Sequence, residues 1–203
     1  MITIVDYGMG NLGSVTNMLK KCGVKSVISS DKEIIGSSEK IILPGVGAFD
    51  TAIRRIDELG LRNLLRDLAI NRKVPFLGIC LGMQLLMDSS EEGTLPGLGL
   101  IKGKAIHFKN HIAQSLKIPH MGWNTITFSK INSLSSGYPD EIRFYFVHSY
   151  YVRVETEEDS LMKCDYGIEF DAAIQKDNIV GAQFHPEKSH RFGIQFFKNF
   201  ASM

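Results

Sequence analysis

The sequence predicts an α/β protein: a doubly wound, mostly parallel sheet with helices on both faces, and an antiparallel-rich second half. Three observations support this fold class. Short apolar runs alternate with segments in which apolar residues recur at helical spacing. Glycines follow several of the apolar runs, where a strand has to turn into a helix. The second half contains extended runs separated by turn residues, which is typical of antiparallel pairing.

The first half reads as alternating strands and helices. Ile2–Val5 is a short apolar run that predicts a buried opening strand, and the helix that follows has Leu12, Val15, Leu19 and Cys22 on one face. The other strands predicted here are residues 27–29, 40–43 and 75–79. The other helices predicted here contain Ile53, Ile56 and Leu59, then Leu61, Leu64, Leu65 and Leu68 after a break near Gly60, and finally residues 81–87.

The second half contains more extended runs than helices. Strands are predicted at residues 103–108, 124–128, 143–148, 151–154, 172–175 and 180–184. Glycine, proline and aspartate cluster at 137–140 and mark one clear turn. Phe192, Phe196 and Phe200 recur at helical spacing and predict a C-terminal helix. No linker, repeat or low-complexity tract divides the chain, so residues 1–203 are expected to form a single domain.

The composition is that of an ordinary globular protein and narrows the classes of function. The chain has 203 residues, of which 44% are hydrophobic and 22% charged, and a formal net charge of +1. This balance argues against a nucleic-acid partner, and no charge run or long apolar stretch indicates a membrane partner. The N-terminus lacks the pattern of a signal peptide, so a cytoplasmic location is expected. Three cysteines argue against a disulfide framework and allow one reactive thiol.

A cysteine stands between two glycines at the junction of a predicted strand and helix. Gly78, Cys80 and Gly82 fit the G-x-S-x-G nucleophile elbow with cysteine in place of serine. The glycines would let the chain turn sharply, and the helix N-terminus that follows favours a thiolate. The backbone N–H of Leu81 would then point toward a developing oxyanion. The alternative is a cysteine that only packs between sheet and helix, which suits the other two cysteines better because they lack the glycine frame.

A His-Pro-Glu sequence follows the strand predicted at 180–184. A cysteine nucleophile needs a base, and the base needs an acceptor that fixes its tautomer. His185 can be that base, and Pro186 makes the exit from the strand tight. The carboxylate of Glu187 can return to the far nitrogen of the imidazole and stabilise the imidazolium. A structural histidine and a solvated glutamate are the alternatives for each residue alone, but the cysteine elbow favours a catalytic pair.

With these motifs the chain resembles the class I, or triad, glutamine amidotransferases over nearly its whole length. The cysteine elbow and the His-Pro-Glu sequence are shared across that class. Two further motifs are more similar to its members that serve histidine biosynthesis: Pro44-Gly45-Val46-Gly47 and Pro119-His120-Met121-Gly122-Trp123-Asn124. The resemblance implies a flavodoxin-like doubly wound fold and a glutaminase that needs no cofactor.

The resemblance implies a role for each residue of a glutaminase site. Cys80, His185 and Glu187 would form the catalytic triad, and the backbone N–H groups of Val46 and Leu81 would form the oxyanion hole. Glutamine would be held by a further group of residues: Gly47, Gln84, Glu92, His148, Ser149 and Tyr150.

Two of the glutamine-binding assignments carry their own chemistry or their own alternative. The carboxylate of Glu92 would meet the α-ammonium of glutamine, since a zwitterion needs an anionic partner. His148 could instead be a histidine that is simply packed on its strand.

The resemblance also implies a protein partner that uses the ammonia. The segment facing this partner would be His120, Met121, Gly122, Trp123 and Asn124. The expected partner is a cyclase-type synthase subunit, which would form a heterodimer with this chain. Trp123 could instead be a core aromatic residue.

One segment points to a second possible partner. Residues 188–193 read Lys-Ser-His-Arg-Phe-Gly, which is more basic and aromatic than in the usual subunits of histidine biosynthesis. This pattern is similar to that of second copies of the subunit, which accompany surface-polysaccharide genes and supply ammonia to a sugar amidotransferase. The glutaminase chemistry is expected to be the same for both partners.

A dinucleotide-binding protein is the rival hypothesis. Gly8, Gly10 and Gly13 fit G-x-G-x-x-G between a predicted strand and helix, and Asp31 stands at the position that would bind a ribose. A glycine turn that only permits tight packing explains the same residues, and the rival accounts for neither the cysteine elbow nor His-Pro-Glu. The histidines and cysteines lack metal-ligand spacing, so no metal site is predicted.

Overall fold

The computed structural model of the protein describes all residues 1–203. The strands are β1 (Ile2–Val5), β2 (Ser26–Ser29), β3 (Lys40–Gly45), β4 (Phe76–Cys80), β5 (Ser89–Ser90), β6 (Gly103–His107), β7 (His120–Thr125), β8 (Thr127–Phe128), β9 (Arg143–His148), β10 (Tyr150–Val154), β11 (Ser160–Asp165), β12 (Glu169–Lys176) and β13 (Ile179–Ala182). The α-helices are α1 (Leu12–Lys21), α2 (Lys32–Gly36), α3 (Phe49–Glu58), α4 (Arg62–Arg66), α5 (Leu81–Leu85) and α6 (His190–Ala201). Helix α4 continues into one wider π turn, Asp67–Asn71.

Eleven of the strands form one sheet, in the spatial order β2-β1-β3-β4-β13-β12-β10-β6-β5. The five strands from β2 to β13 pair in parallel, whereas β12, β10 and β6 pair antiparallel. Strand β11 pairs with β12 and with β8. Strands β7 and β9 form a separate antiparallel ribbon. The predicted parallel sheet with an antiparallel-rich second half is therefore confirmed.

The sheet has an apolar core on each of its two faces. Consecutive residues of a strand point to opposite faces, so Ile4 packs in one core and Val5 in the other. The first core also contains buried residues of α1 and α6, and the second contains those of α3 and α4. This arrangement explains why the central strands are almost continuous apolar runs, since both of their faces are covered.

The predicted helix pattern of the first half is also present. Asn11 caps α1 by accepting a hydrogen bond from the N–H of Ser14, and the apolar face of α1 is buried. Gly60 separates α3 from α4 and has a φ of 62°, a left-handed conformation that suits glycine. None of the helices combines the length and the apolar character needed to cross a membrane.

The strand predicted at residues 124–128 is wrong. Strand β7 ends within this segment at Thr125 and β8 occupies its last two residues, and the two strands pair with different partners, β9 and β11. Ile126 lies between them with a buried side chain. The apolar alternation at 124–128 therefore marks a change of sheet, which a periodicity pattern does not distinguish from one continuous strand.

Three short or irregular elements were missed in the sequence: α2, β5 and β11. Helix α2 buries only Ile35 and so has no apolar repeat. Strand β11 has register shifts against β12. Helix α5 is shorter than predicted and ends at Leu85.

Candidate active site

The carboxyl ends of β3, β4 and β13 meet at one edge of the sheet. Gly45 at the end of β3 lies opposite Cys80 at the end of β4. On the other side of β4, Ala182 at the end of β13 pairs with Ile79. The segments that leave these three strands therefore meet in one crevice, the usual position of a ligand site in an open parallel sheet.

Cys80 has an unusual backbone conformation. It lies where β4 passes directly into α5, with φ 54° and ψ −109°, a region that residues with a side chain rarely occupy. The residue is 7% exposed, and its sulfur lies 3.8 Å from Gln183 Nε2 and 4.0 Å from the Val147 carbonyl. The sharp turn expected for the elbow is made by the cysteine itself.

The flanking glycines are required for close packing rather than for a left-handed conformation. A Cβ atom on Gly82 would lie 1.9 Å from the carbonyl oxygen of Leu43 on β3. A Cβ atom on Gly78 would lie 2.5 Å from the carbonyl oxygen of Gly82. Neither glycine has a positive φ. The two glycines therefore bring α5 directly against β3 and β4, which fixes the position of Cys80.

His185 and Glu187 form a buried pair. The imidazole Nδ1 lies 2.7 Å from Glu187 Oε1, and the two side chains are 4% and 3% exposed. A carboxylate only accepts, so Nδ1 is the donor and Nε2 is the nitrogen available for proton transfer. Nε2 has no hydrogen-bond partner in the protein. Burial lowers the pKa of His185, but its interactions with Cys80 and Glu187 are stronger and leave the pKa raised.

A cavity of about 370 Å³ opens beside Cys80 and His185. All the residues that the sequence suggested for glutamine binding line it: Gly47, Gln84, Glu92, His148, Ser149 and Tyr150. Val46 and Leu81 also line it, whereas Glu187 lies behind His185 and does not. The structure thus brings together residues from six separated segments of the chain.

The side chains of this cavity are held by local contacts. Glu92 Oε2 accepts a hydrogen bond from the N–H of Phe49, the first residue of α3. Gln84 Nε2 donates to the carbonyl of Tyr150 and to Gln183 Oε1. The N–H of Val46 donates to no acceptor in the protein, and so it is free to bind an oxygen of a ligand.

Three lining residues were not selected in the sequence: Pro119, Val147 and Lys188. Lys188 directly follows the His-Pro-Glu sequence, and this adjacency was a usable signal. Its ammonium lies 5.7 Å from the ring centre of Tyr145. Val147 carried no signal, because it is one apolar residue of a predicted strand.

The segment expected to face a partner is strand β7, and its residues point in two directions. Met121 and Trp123 are 61% and 44% exposed, so Trp123 is not a core residue. His120 is 3% exposed and lies against His148, on the cavity side of the ribbon. A partner could therefore touch Met121 and Trp123 directly but not the imidazole of His120.

The residues of the rival dinucleotide hypothesis have local roles. The carboxylate of Asp31 caps α2 by accepting from the N–H groups of Glu33 and Ile34. A Cβ atom on Gly10 would lie 3.3 Å from the backbone of Pro44, so this glycine allows the turn after β1 to approach β3. No group of three or more histidine, cysteine, aspartate or glutamate side chains is arranged to hold a metal ion.

Comparison with known proteins identifies a family. Residues 3–202 match the family model described as glutamine amidotransferase class-I. The chain is 52% identical to "Imidazole glycerol phosphate synthase subunit HisH 2" of Methanococcus maripaludis, over 98% of both chains. It is 46% identical to the subunit of the same name in Pseudomonas aeruginosa, over 100% of both.

Solved structures of lower identity share the fold. A structure described as a glutamine amidotransferase has a TM-score of 0.76 at 16% identity and covers 100% of this chain and 98% of its own. The PurLQS structure from Thermotoga maritima has a TM-score of 0.73 at 18% identity, over 99% and 97% of the two chains.

Proposed function

The chain belongs to the class I glutamine amidotransferase family, and we propose from this membership that Cys80, His185 and Glu187 are the triad with which it hydrolyses glutamine. The observation that carries the proposal is the position of Cys80 and His185 on one wall of a cavity, with Glu187 bonded to the far nitrogen of the imidazole. A nucleophile, its base and an orienting acid in this order are what acyl transfer by a thiol requires.

In the proposed reaction, the sulfur of Cys80 attacks the side-chain amide carbon of glutamine. The N–H groups of Val46 and Leu81 stabilise the oxyanion of the tetrahedral intermediate. His185 gives its proton to the departing amine. Ammonia leaves, and the glutamyl group stays on Cys80 as a thioester. His185 then takes a proton from water, which attacks the thioester and releases glutamate. One glutamine and one water become one glutamate and one ammonia.

The cavity residues are proposed to bind the amino-acid end of glutamine. Glu92 uses one carboxylate oxygen to hold α3, which leaves the other for the α-ammonium. Gly47, Gln84, His148, Ser149 and Tyr150 form the remaining walls. Lys188 adds a cation at the same cavity, and the α-carboxylate of glutamine is its natural counter-ion.

We further propose that the chain is the glutaminase subunit of an imidazole glycerol phosphate synthase. Its relatives carry this name at 45–52% identity over nearly their whole length. The partner would be the cyclase subunit, in a heterodimer that serves histidine biosynthesis. Three unpaired cysteines suit a reducing compartment, so we place the complex in the cytoplasm.

Ammonia needs a protected path to such a partner. Free in water at neutral pH it would be protonated, because its pKa is about that of a lysine side chain. Only the neutral amine is a nucleophile. Direct transfer between docked subunits keeps it neutral.

The alternative partner is a sugar amidotransferase of surface-polysaccharide synthesis. The segment after Glu187 supports this alternative, because His190 stacks on the exposed Trp123 at 5.6 Å, next to Arg143 and Arg191. A basic and aromatic surface at this place gives the chain a distinctive contact face. The glutaminase reaction is the same in both cases.

The nucleophile is tested by Cys80→Ala, with Cys22→Ala as the matched control in a cysteine outside the cavity. We expect Cys80→Ala to release no glutamate, while its complex with the partner still works on added ammonium salt. Cys22→Ala should match the wild type. Glutamine-dependent turnover by Cys80→Ala at the wild-type rate would refute the assignment.

The partner is tested by measuring glutamate release from the purified subunit alone, with a cyclase subunit and with a sugar amidotransferase. We expect slow hydrolysis alone and stimulation by the true partner. The glycine-rich segment at Val46 can hold more than one peptide orientation, and a partner that favours the competent one shifts the population. Loss of one oxyanion donor costs about a hundred- to a thousandfold in rate. A subunit that is fully active alone and unchanged by either protein would contradict this proposal.

A further inference from the structure

A continuous chain of hydrogen bonds runs from strand β7 through the cavity to the sulfur of Cys80. Its links are Asn124 Nδ2 to His120 Nε2 (3.3 Å), His120 Nδ1 to His148 Nε2 (3.0 Å), His148 Nδ1 to the Tyr150 carbonyl (2.7 Å), Gln84 Nε2 to the same carbonyl (3.3 Å), Gln84 Nε2 to Gln183 Oε1 (3.2 Å) and Gln183 Nε2 to Cys80 Sγ (3.8 Å). It joins the ribbon that carries Trp123 to the proposed nucleophile.

The carbonyl of Tyr150 fixes the tautomer of both histidines. A carbonyl only accepts, so the proton of His148 is on Nδ1. Nε2 of the neutral ring is then an acceptor, and Nδ1 of His120 must donate to it. Nε2 of His120 is left as an acceptor for the amide of Asn124. Both rings are thus neutral with the proton on Nδ1.

The side-chain amides of Asn124 and Gln84 have fixed orientations as well. Asn124 Oδ1 accepts from the N–H of Thr125, and Asn124 Nδ2 also donates to the carbonyl of Asp165, which sets the orientation of its amide. Nearer to Cys80, Gln84 uses both N–H bonds of its Nε2 atom, one for Tyr150 and one for Gln183. Each donor in the chain therefore meets an acceptor, and no link can reverse without breaking its neighbour.

This chain of hydrogen bonds is buried along most of its length. His120 and His148 are 3% and 5% exposed, and Gln84 and Gln183 are 4% and 0% exposed. If one of these hydrogen bonds is broken, water cannot easily reach the buried polar groups to pair with them, so the loss costs free energy. A fully paired buried network of this kind is therefore rigid. The aromatic rings of Phe146 and Tyr166 stack on the two faces of His120, at 4.8 and 4.1 Å.

The opposite face of β7 is open. Met121 and Trp123 alternate with His120 and Asn124 along the strand, so the exposed side chains and the buried links belong to the same six-residue strand. The β7–β9 ribbon is also not part of the main sheet. Side-chain hydrogen bonds of His120 and His148 thus link this strand to the carbonyl of Tyr150, the first residue of β10 in the main sheet.

We propose that His120 and His148 are positioning residues, which hold the Tyr150 carbonyl and Gln84 in place for glutamine and make the cavity respond to strand β7. This inference rests on the proposed glutaminase function. His120 touches neither substrate nor nucleophile and acts only through His148. A protein that docks on Met121 and Trp123 would thereby change glutamine binding from outside the cavity.

The kinetic test compares three variants in the complex with the partner that stimulates the wild type. His120→Phe keeps an aromatic ring between Phe146 and Tyr166 but donates nothing to His148. We expect it to raise KM for glutamine about tenfold, the effect of one ordinary hydrogen bond, with a smaller change in kcat. His120→Asn keeps a donor toward His148, and its KM should lie nearer the wild type.

Tyr166→Phe is the matched control. Tyr166 packs on His120, but its hydroxyl donates to the carbonyl of Lys117, outside the chain of hydrogen bonds. Its KM should equal that of the wild type. A His120→Phe enzyme with wild-type KM, or a His120→Asn enzyme as impaired as His120→Phe, would overturn the inference while leaving the glutaminase function intact.

A second measurement does not depend on activity. The imidazole ¹⁵N resonances of the wild-type subunit at pH 7 should show both histidines neutral with the proton on Nδ1, the less common tautomer of free histidine. In His120→Phe, His148 should lose this single state. A His148 with protons on both ring nitrogens, or with its only proton on Nε2, in the wild type would overturn the inference. If no partner and no condition gives glutamate release while the tautomers are as expected, the proposed function fails and the positioning role fails with it, although the hydrogen-bonded arrangement of the histidines is correct.

Discussion

At the scale of single residues, the imidazole of His185 is held from several sides. Its Nδ1 atom bonds to Glu187, its backbone N–H donates to the carbonyl of Tyr145, and its own carbonyl accepts from the hydroxyl of Ser189. Only Nε2 is left free, and it faces the cavity side. The histidine thus depends on the backbone for its place and on Glu187 for its tautomer.

Because the backbone holds His185 in place and Glu187 sets only its tautomer, His185→Ala should reduce activity more than Glu187→Gln. In the proposed reaction, loss of His185 removes the group that makes both proton transfers, so His185→Ala should abolish nearly all glutamate release. Glu187→Gln leaves the ring in place and should retain more activity, although the amide can present the wrong dipole to Nδ1. Steady-state kinetics of the complex test the order. A Glu187→Gln enzyme less active than His185→Ala would require the roles to be exchanged.

The two neutral histidines predict how stability depends on pH. Burial lowers the pKa of His120 to about 4, and burial together with His120 lowers the pKa of His148 to about 3. Below a pH of about 6.5 the unfolded chain takes up protons at these positions and the folded chain does not, so stability falls as the pH drops. The raised pKa of His185 acts in the opposite sense, because its contribution to stability grows as the pH falls toward the pKa of the unfolded chain and becomes constant well below it, where the residue is protonated in both states. This contribution is the same in the wild type and in His120→Phe, so it cancels when the two are compared.

The measurement is the free energy of unfolding from denaturant titrations between pH 7 and pH 5. Each of the two histidines contributes a slope of at most about 1.4 kcal/mol per pH unit below pH 6.5. His120→Phe removes one titrating group, so its stability should change less steeply with pH than that of the wild type. Identical slopes in the two proteins would contradict a neutral His120.

At the scale of elements, the junction of β4 and α5 depends on how closely α5 approaches β3. Gly82 packs directly on the backbone of β3. The motif Gly-x-Cys-x-Gly identified this junction in the sequence. It did not predict that Gly82 has to be a glycine because of close contact with the neighbouring strand β3. A local motif contains no information about a backbone that lies thirty-nine positions earlier in the chain, as Leu43 does.

Gly82→Ala should therefore be strongly destabilising. The new methyl group would meet the Leu43 carbonyl at 1.9 Å, and relief requires a backbone shift. Overpacking of this kind costs about 3 kcal/mol. Gly13→Ala is the control, because its Cβ atom would lie in open space on α1, and it should stabilise slightly. Thermal melts of both variants give the comparison, and equal melting temperatures would contradict the contact.

The sequence predicted strands well where one residue pattern ran along the whole strand and the strand kept the same partner strands. Strands β1, β4 and β9 were found because their apolar residues follow the strand pattern for their whole length. Strands β7 and β8 were merged, because the change of partner at Ile126 leaves no trace in the alternation. The triad residues and the cavity residues were suggested by motifs, whereas Val147 and Pro119 reach the cavity only through the pairing of β7 with β9.

At the scale of the whole molecule, one sheet connects the two apolar cores. Every central strand contributes to both cores, so neither can be lost while the other persists. Residues 1–203 are therefore proposed to unfold as a single unit. The β7–β9 ribbon is included, since Phe144 and Phe146 of β9 pack in the first core.

This cooperativity can be measured with two probes. Far-ultraviolet circular dichroism follows the whole fold, and the fluorescence of Trp123 follows the ribbon, since it is the only tryptophan. The two denaturation curves should coincide. An earlier transition in the fluorescence would show that the ribbon unfolds separately and that the chain is not one cooperative domain.

The left-handed backbone at Cys80 means that stability and activity make opposite demands on one position. At a φ of 54° a glycine is more favourable than any residue with a Cβ atom, typically by about 1 kcal/mol. Cys80→Gly should therefore unfold at a higher temperature than Cys80→Ala, although both lack the thiol. The backbone there is best suited to the one amino acid that has no side chain to react. A selection for stability alone, applied to random variants of this protein, should accordingly enrich glycine at position 80 and lose the enzyme.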